Sequence, residues 1–275
     1  MANVPSKPST PVKKESSSAS GMFATLAIPI CIVVAILIFI FVLGDGSHYK
    51  GGDPANEPVD AFGIVHKGGP IVPIIMSFVL MVIVFSIERF IVIGKAAGTG
   101  NVDAFVRKVQ TLLNAGNIEA ASAECDKQKG SVANVVKSGL KKYREVETDP
   151  NMDTEQKALA IQKDIEEATA LEMPMLEQNL TIIATLVSVG TLVGLLGTVI
   201  GMIGAFAELA TSGAPNQAAL SSHISEALIN TALGIFTSAT SIIMYNLFTS
   251  KIDKLTYAID ETGFSIVSTF SSSHK

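Results

Sequence analysis

The chain has no tryptophan, only two cysteines in 275 residues, and charge on only 16% of its positions. So little charge does not suit an ordinary soluble domain, and a mean hydropathy of +0.43 points the same way. The sequence has no Cys/His cluster and no Ser-His-Asp arrangement. It also has no phosphate loop: GLLGTVIG, Gly194 to Gly201, lacks the Gly-Lys-Ser/Thr end that holds phosphates. Neither a metal nor a cofactor is expected, the chain does not read as an enzyme, and no nucleic-acid partner is expected.

Charge is missing altogether from four long stretches: Met22 to Leu43, Pro70 to Ile87, Leu180 to Ala207 and Ala227 to Ser250. Crossing about 30 Å of hydrocarbon takes about 20 apolar residues in a helix. Hydrocarbon offers no partner to a bare N–H or C=O, so spanning runs of this kind are helices. The expected architecture is an all-α integral membrane protein with four transmembrane helices and a helical cytoplasmic domain. Its spans are 22–43, 70–93, 180–207 and 221–250, and its soluble parts follow from charge placement. Lys7, Lys13 and Lys14 precede the first span, eleven Lys or Arg lie from Lys95 to Lys163, and Lys251, Lys254 and Lys275 follow the last span. The positive-inside rule then assigns a disordered cytoplasmic tail to 1–21 and the cytoplasmic domain to 94–179. It makes 251–275 a second cytoplasmic tail, with a periplasmic loop at 44–69 and a periplasmic turn at 208–220. Cys31, in a span, and Cys125, in the cytoplasmic domain, cannot meet under this topology, so no disulfide is expected.

Two spans carry most of the information. In the third, Gly190, Gly194, Gly197, Gly201 and Gly204 are separated by 4, 3, 4 and 3 residues and line one narrow helix face. A bare backbone ridge lets a neighbouring helix approach closely, so this span is expected inside a tight assembly. Thr191 and Thr198 lie beside the ridge, seven residues apart. The fourth span carries Glu226, with Asn230 on the same side, and a file formed by Thr231 and Ser238. An intramembrane carboxylate is costly and marks function by default. Two readings stand for each group. The hydroxyls either line a hydrophilic path or bond back to their own helix. Glu226, near the external end of its span, either works in that path or snorkels to the interface. A bundle with hydroxyl files and one carboxylate suits conduction of a proton or small cation. One chain supplies too few groups, so a ring, a partner subunit or both are needed.

At these residues the sequence resembles the MotA/TolQ/ExbB proton-channel family, and its ExbB/TolQ branch more than the flagellar one. The resemblance lies in GLLGTVIGMIGAF, ISEALINTALGIF, YNLF, IERF at Ile87 to Phe90, and the stretch Gly116 to Leu140. It implies a multi-pass protein of the bacterial inner membrane with both termini in the cytoplasm. It further implies a homopentamer around an ExbD-like single-span partner, turning proton flow into work on a TonB-like protein. Under it Thr198 and Thr231 correspond to pore-lining threonines and Glu226 to a buried glutamate, with Thr191, Ser238 and Asn230 as further possible lining. The first span is extra to the three-helix plan. Thr191 and Thr240 stand where the family commonly has prolines, which implies straighter core helices.

Overall fold

The computed structural model describes residues 16–54, 56–211 and 217–274, with side chains in the first helix described from Met22 onward. Among the described residues nine α-helices follow one another: α1 (Ser16–Leu37), α2 (Ala61–His66), α3 (Val72–Ala97), α4 (Val102–Asn114), α5 (Ile118–Gln128), α6 (Gly130–Glu147), α7 (Thr154–Glu177), α8 (Leu180–Thr211) and α9 (Gln217–Ser273). Among the described residues four helical stretches are long and apolar enough to cross a membrane: Met22–Leu43, Gly69–Asn114, Thr154–Ala210 and Gln217–Ser273. α1 passes into a π-helical segment, Ile38–Leu43, before the chain leaves the span.

Two expected boundaries move. The helix containing the first span reaches back at least to Ser16, inside the stretch read as a disordered tail, while residues 1–15 lie outside those described. Propagating an existing helix backwards costs far less than starting one, so a long apolar run carries its weak Ser/Ala flank with it. Residues 251–273, expected as a tail, are likewise helical and make up the last two fifths of α9, which runs unbroken for 57 residues, about 85 Å. Ile252, Leu255, Ile259, Ile266 and Phe270 repeat at helical spacing there, and all are buried. They pack against Phe105 and Val109 of α4, Val136 and Leu140 of α6 and Ile161 of α7 in one continuous core. Burying side chains of this kind contributes about 1.5–3 kcal/mol each. α4–α7 and the far half of α9 therefore form a helical domain at one end of the spans.

The elbow between that domain and the spans is pinned by a residue whose role the sequence does not advertise. Arg89, fully buried near the end of the apolar run of α3, donates from Nη1 to the carbonyls of Met175 and Leu176, both at 3.1 Å. Its Nε donates to Glu88 at 2.6 Å. A guanidinium at a helix C-terminus meets carbonyls that lack intrahelical partners and the negative end of the helix dipole. The chain then turns through Asn179, whose φ of +64° lies in the left-handed region that Asn tolerates, and α8 begins.

Candidate functional site

α8 and α9 pack along the glycine ridge, within one chain. A Cβ on Gly194 would come within 3.0 Å of the Gly234 Cα, and one on Gly190 within 2.9 Å of the Ser238 hydroxyl. On Gly201 it would reach the Ala227 Cβ at 2.8 Å, on Gly204 the His223 Nδ1 at 2.8 Å, and on Gly197 it would collide with the Asn230 side chain. Gly234 answers from α9, where a Cβ would meet the Gly190 carbonyl oxygen at 2.7 Å. The spacing on α8 thus marks an interface whose other half is the next helix of the same chain.

This close approach sets the polar groups. Thr191 donates to the Ser238 hydroxyl at 2.8 Å, joining the two files across the hairpin. Thr231 donates across to the Gly194 carbonyl at 3.3 Å. Thr198, half-buried, instead turns its hydroxyl back to the Leu195 carbonyl of its own helix at 2.6 Å. No hydrogen bond joins Thr198 to Thr231. Thr237 and Ser241 also bond back, to Leu233 and Thr237, each at 2.8 Å.

A second cluster lies toward the α9 N-terminus, where the segment before α3 comes down onto it. Asn230 is fully buried and donates from Nδ2 to the Gly68 carbonyl at 2.8 Å, while its Oδ1 has no partner among the described residues. One turn earlier the Glu226 carboxylate presses on Gly69, whose φ of +75° and missing side chain are both required there. The His223 ring lies 3.8 Å from the same carboxylate, too far for a hydrogen bond. Glu226 and Asn230 thus share one neighbourhood, which the residues before α3 cover; Thr191 and Ser238 form a separate pair farther along the hairpin.

The covering segment is folded. Tyr49, buried, bonds His66 Nδ1 through its hydroxyl at 2.6 Å, and the His66 ring lies tilted against Phe39 of the π-helical turn, centroids 4.6 Å apart. Burial, and then the charge of Lys67, hold His66 below the ordinary imidazole range. Asp60 caps α2 by accepting from the Gly63 N–H at 3.0 Å. That bond, aided by His48 at 2.7 Å, lowers its carboxyl below the usual range. Sequence reasoning read this stretch as a loop and missed its contact with Glu226; the Gly68-Gly69 pair before Pro70 is the local signal of that close approach. Among the described residues, no group of three or more His, Cys, Asp or Glu is placed to hold a metal ion. The site offers hydroxyls, an amide and one carboxylate, groups that orient water and exchange protons.

Residues 127–261 match the MotA/TolQ/ExbB proton channel family, from the end of α5 through most of α9. They contain every residue of the hairpin site. This part of the chain belongs to the MotA/TolQ/ExbB family. Among similar proteins, the Tol-Pal system protein TolQ of Pseudomonas aeruginosa is 28% identical over 153 residues, 56% of this chain and 66% of that protein. The putative biopolymer transport protein ExbB-like 3 of Synechocystis is 34% identical over 88 residues, 31% of this chain and 42% of its own length. The biopolymer transport protein ExbB of Xanthomonas campestris is 31% identical over 102 residues, 37% and 40% of the two chains. The chain thus spans less than two thirds of the length of each of these relatives. The family match leaves out α1–α4, and with them the cover over Glu226.

Proposed function

We propose that the chain is an ExbB-like, ring-forming subunit of a proton-driven motor in the bacterial inner membrane. With an ExbD-like single-span partner it uses the proton motive force to energise a TonB-like protein for outer-membrane transport. The observation that carries this reading is the α8–α9 hairpin itself. It sets Glu226, Asn230 and four hydroxyl side chains in or beside a membrane-length helix pair that contains no Lys or Arg before Lys251. A carboxylate kept in such a place without a Lys or Arg beside it is costly unless it works. In this reading the termini and the α4–α7 domain are cytoplasmic, as the distribution of Lys and Arg supports. A TolQ-like role in the same family has its own support in the match to TolQ, which covers more of this chain than the ExbB matches do.

Assembly beyond one chain is part of this reading, and an exposed face of α9 supports it. Phe236, Ile243, Tyr257 and Phe264 are all exposed and fall on one face at multiples of seven residues. Lipid can cover the first two. Tyr257 and Phe264, 69% and 76% exposed, lie in the helical domain beyond the span, which supports a covering protein surface there. A second copy of α9 in a ring supplies it, with five copies by resemblance to the family. The test is proton uptake by liposomes holding the chain together with its single-span partner under an imposed pH gradient. A conducting subunit gives partner-dependent uptake. Complexes that assemble fully yet carry no protons would reduce the chain to a scaffold.

A further inference from the structure

Where α3 leaves the apolar layer, it encloses with α4 and α9 a cleft of about 320 Å³, lined by Gly94, Asn101, Asp103, Lys251 and Lys254 among others. Its depth is set by the sequence. The apolar run of α3 ends at Ile93, and Lys251 is the first charged residue after the charge-free run of α9. The cleft therefore lies at the level of lipid headgroups. Lys251 holds its ammonium 4.6 Å from the centre of the Phe90 ring, and neither it nor Lys254 makes an ion pair among the described residues. Asp103, in the first turn of α4, is the one carboxylate in the lining, so two ammonium groups face one acid. A Cβ on Gly94 would meet nothing within 4 Å, which leaves that wall open. Above Gly94 on the same helical face, Ile83, Ile87 and Phe90 are exposed.

A cationic pocket between helices, at headgroup depth and continuous with an exposed apolar stripe, matches an amphiphile with an anionic head. We propose that this cleft binds the phosphate headgroup of an anionic phospholipid, with an acyl chain lying along Ile83, Ile87 and Phe90. The lipid ties the helical domain, through α4, to the membrane ends of α3 and α9. Free phosphate shares the headgroup chemistry but would leave the stripe without purpose.

Full-length protein in nanodiscs of phosphatidylcholine and phosphatidylglycerol, released into detergent and weighed by native mass spectrometry, tests this. The wild type should retain phosphatidylglycerol, and the Lys251→Gln, Lys254→Gln pair at least about fivefold less, at about fivefold per lysine near a membrane surface. Gly94→Leu keeps both lysines, fills only open space and should lose the lipid as well. Lys141→Gln with Lys163→Gln removes equal charge elsewhere in the helical domain and should retain lipid like the wild type. Undiminished lipid in the Lys251, Lys254 variant, or an equal loss in the Lys141, Lys163 variant, would overturn the proposal. So would a thermal stabilisation by inorganic phosphate alone that depends on Lys251 and Lys254, because the cleft would then be a free-anion site.

Discussion

Thr231 and Thr198 are separated by what their hydroxyls do. The first reaches across the hairpin to Gly194, and the second is held by its own helix. Thr→Val at either position keeps the shape and removes the donor, costing about 0.5–1.5 kcal/mol for the bond. Loss of proton-driven activity with normal assembly is expected in both variants; assembly failing along with activity would mark them as packing residues. Arg89 carries more stability, because its guanidinium is buried and its partners are two helix-terminal carbonyls and Glu88. Arg89→Ala strands that carboxylate and those carbonyls and should cost about 3–5 kcal/mol in unfolding experiments. A change below about 1 kcal/mol would show that the elbow holds without it. Asn230 shows why such roles are hard to read from a sequence. Its position beside Glu226 follows from helical spacing, but its partner, Gly68, lies 162 residues away.

At the scale of elements, the four spans are legible because a run of apolar residues is a one-dimensional signal and the hydrocarbon layer sets its length. The glycine ridge is legible as a face, since spacing fixes which residues share a side. Spacing does not say which helix lies opposite, and here that helix is α9 of the same chain. The far two fifths of α9 read as a tail because Lys251, Asp253 and Lys254 interrupt the apolar run, while the buried stripe there appears only at a period of three and four. Since α8 and α9 touch at backbone distance, Gly197→Leu should cost more than the about 3 kcal/mol typical of overpacking, by driving a side chain into Asn230. A purified variant that melts like the wild type would mean that the hairpin opens at no cost.

For the whole molecule, orientation in the membrane rests on the placement of Lys and Arg rather than on packing. Ser47 is exposed in the loop between α1 and α2, and Lys141 is exposed on α6, whereas Ser138 is engaged with Asp164 at 2.7 Å and makes a poor probe. A cysteine at Ser47 should react with an impermeant thiol reagent added to the periplasmic side, and a cysteine at Lys141 only after the membrane is opened. The reverse pattern would invert the topology. Across the molecule, the folded cover and Gly68-Gly69 place a lid on one end of the hairpin, and the helical domain fixes the other end. At the covered end sits Glu226, its carboxylate against Gly69 and one turn from Asn230. The most direct measurement is therefore proton uptake by the reconstituted complex carrying Glu226→Gln or Glu226→Asp, with assembly checked by mass. Gln keeps the shape and abolishes titration, so the complex should assemble and carry no proton current, while Asp should keep part of it. Full uptake by an assembled Glu226→Gln complex would contradict a proton path through this carboxylate.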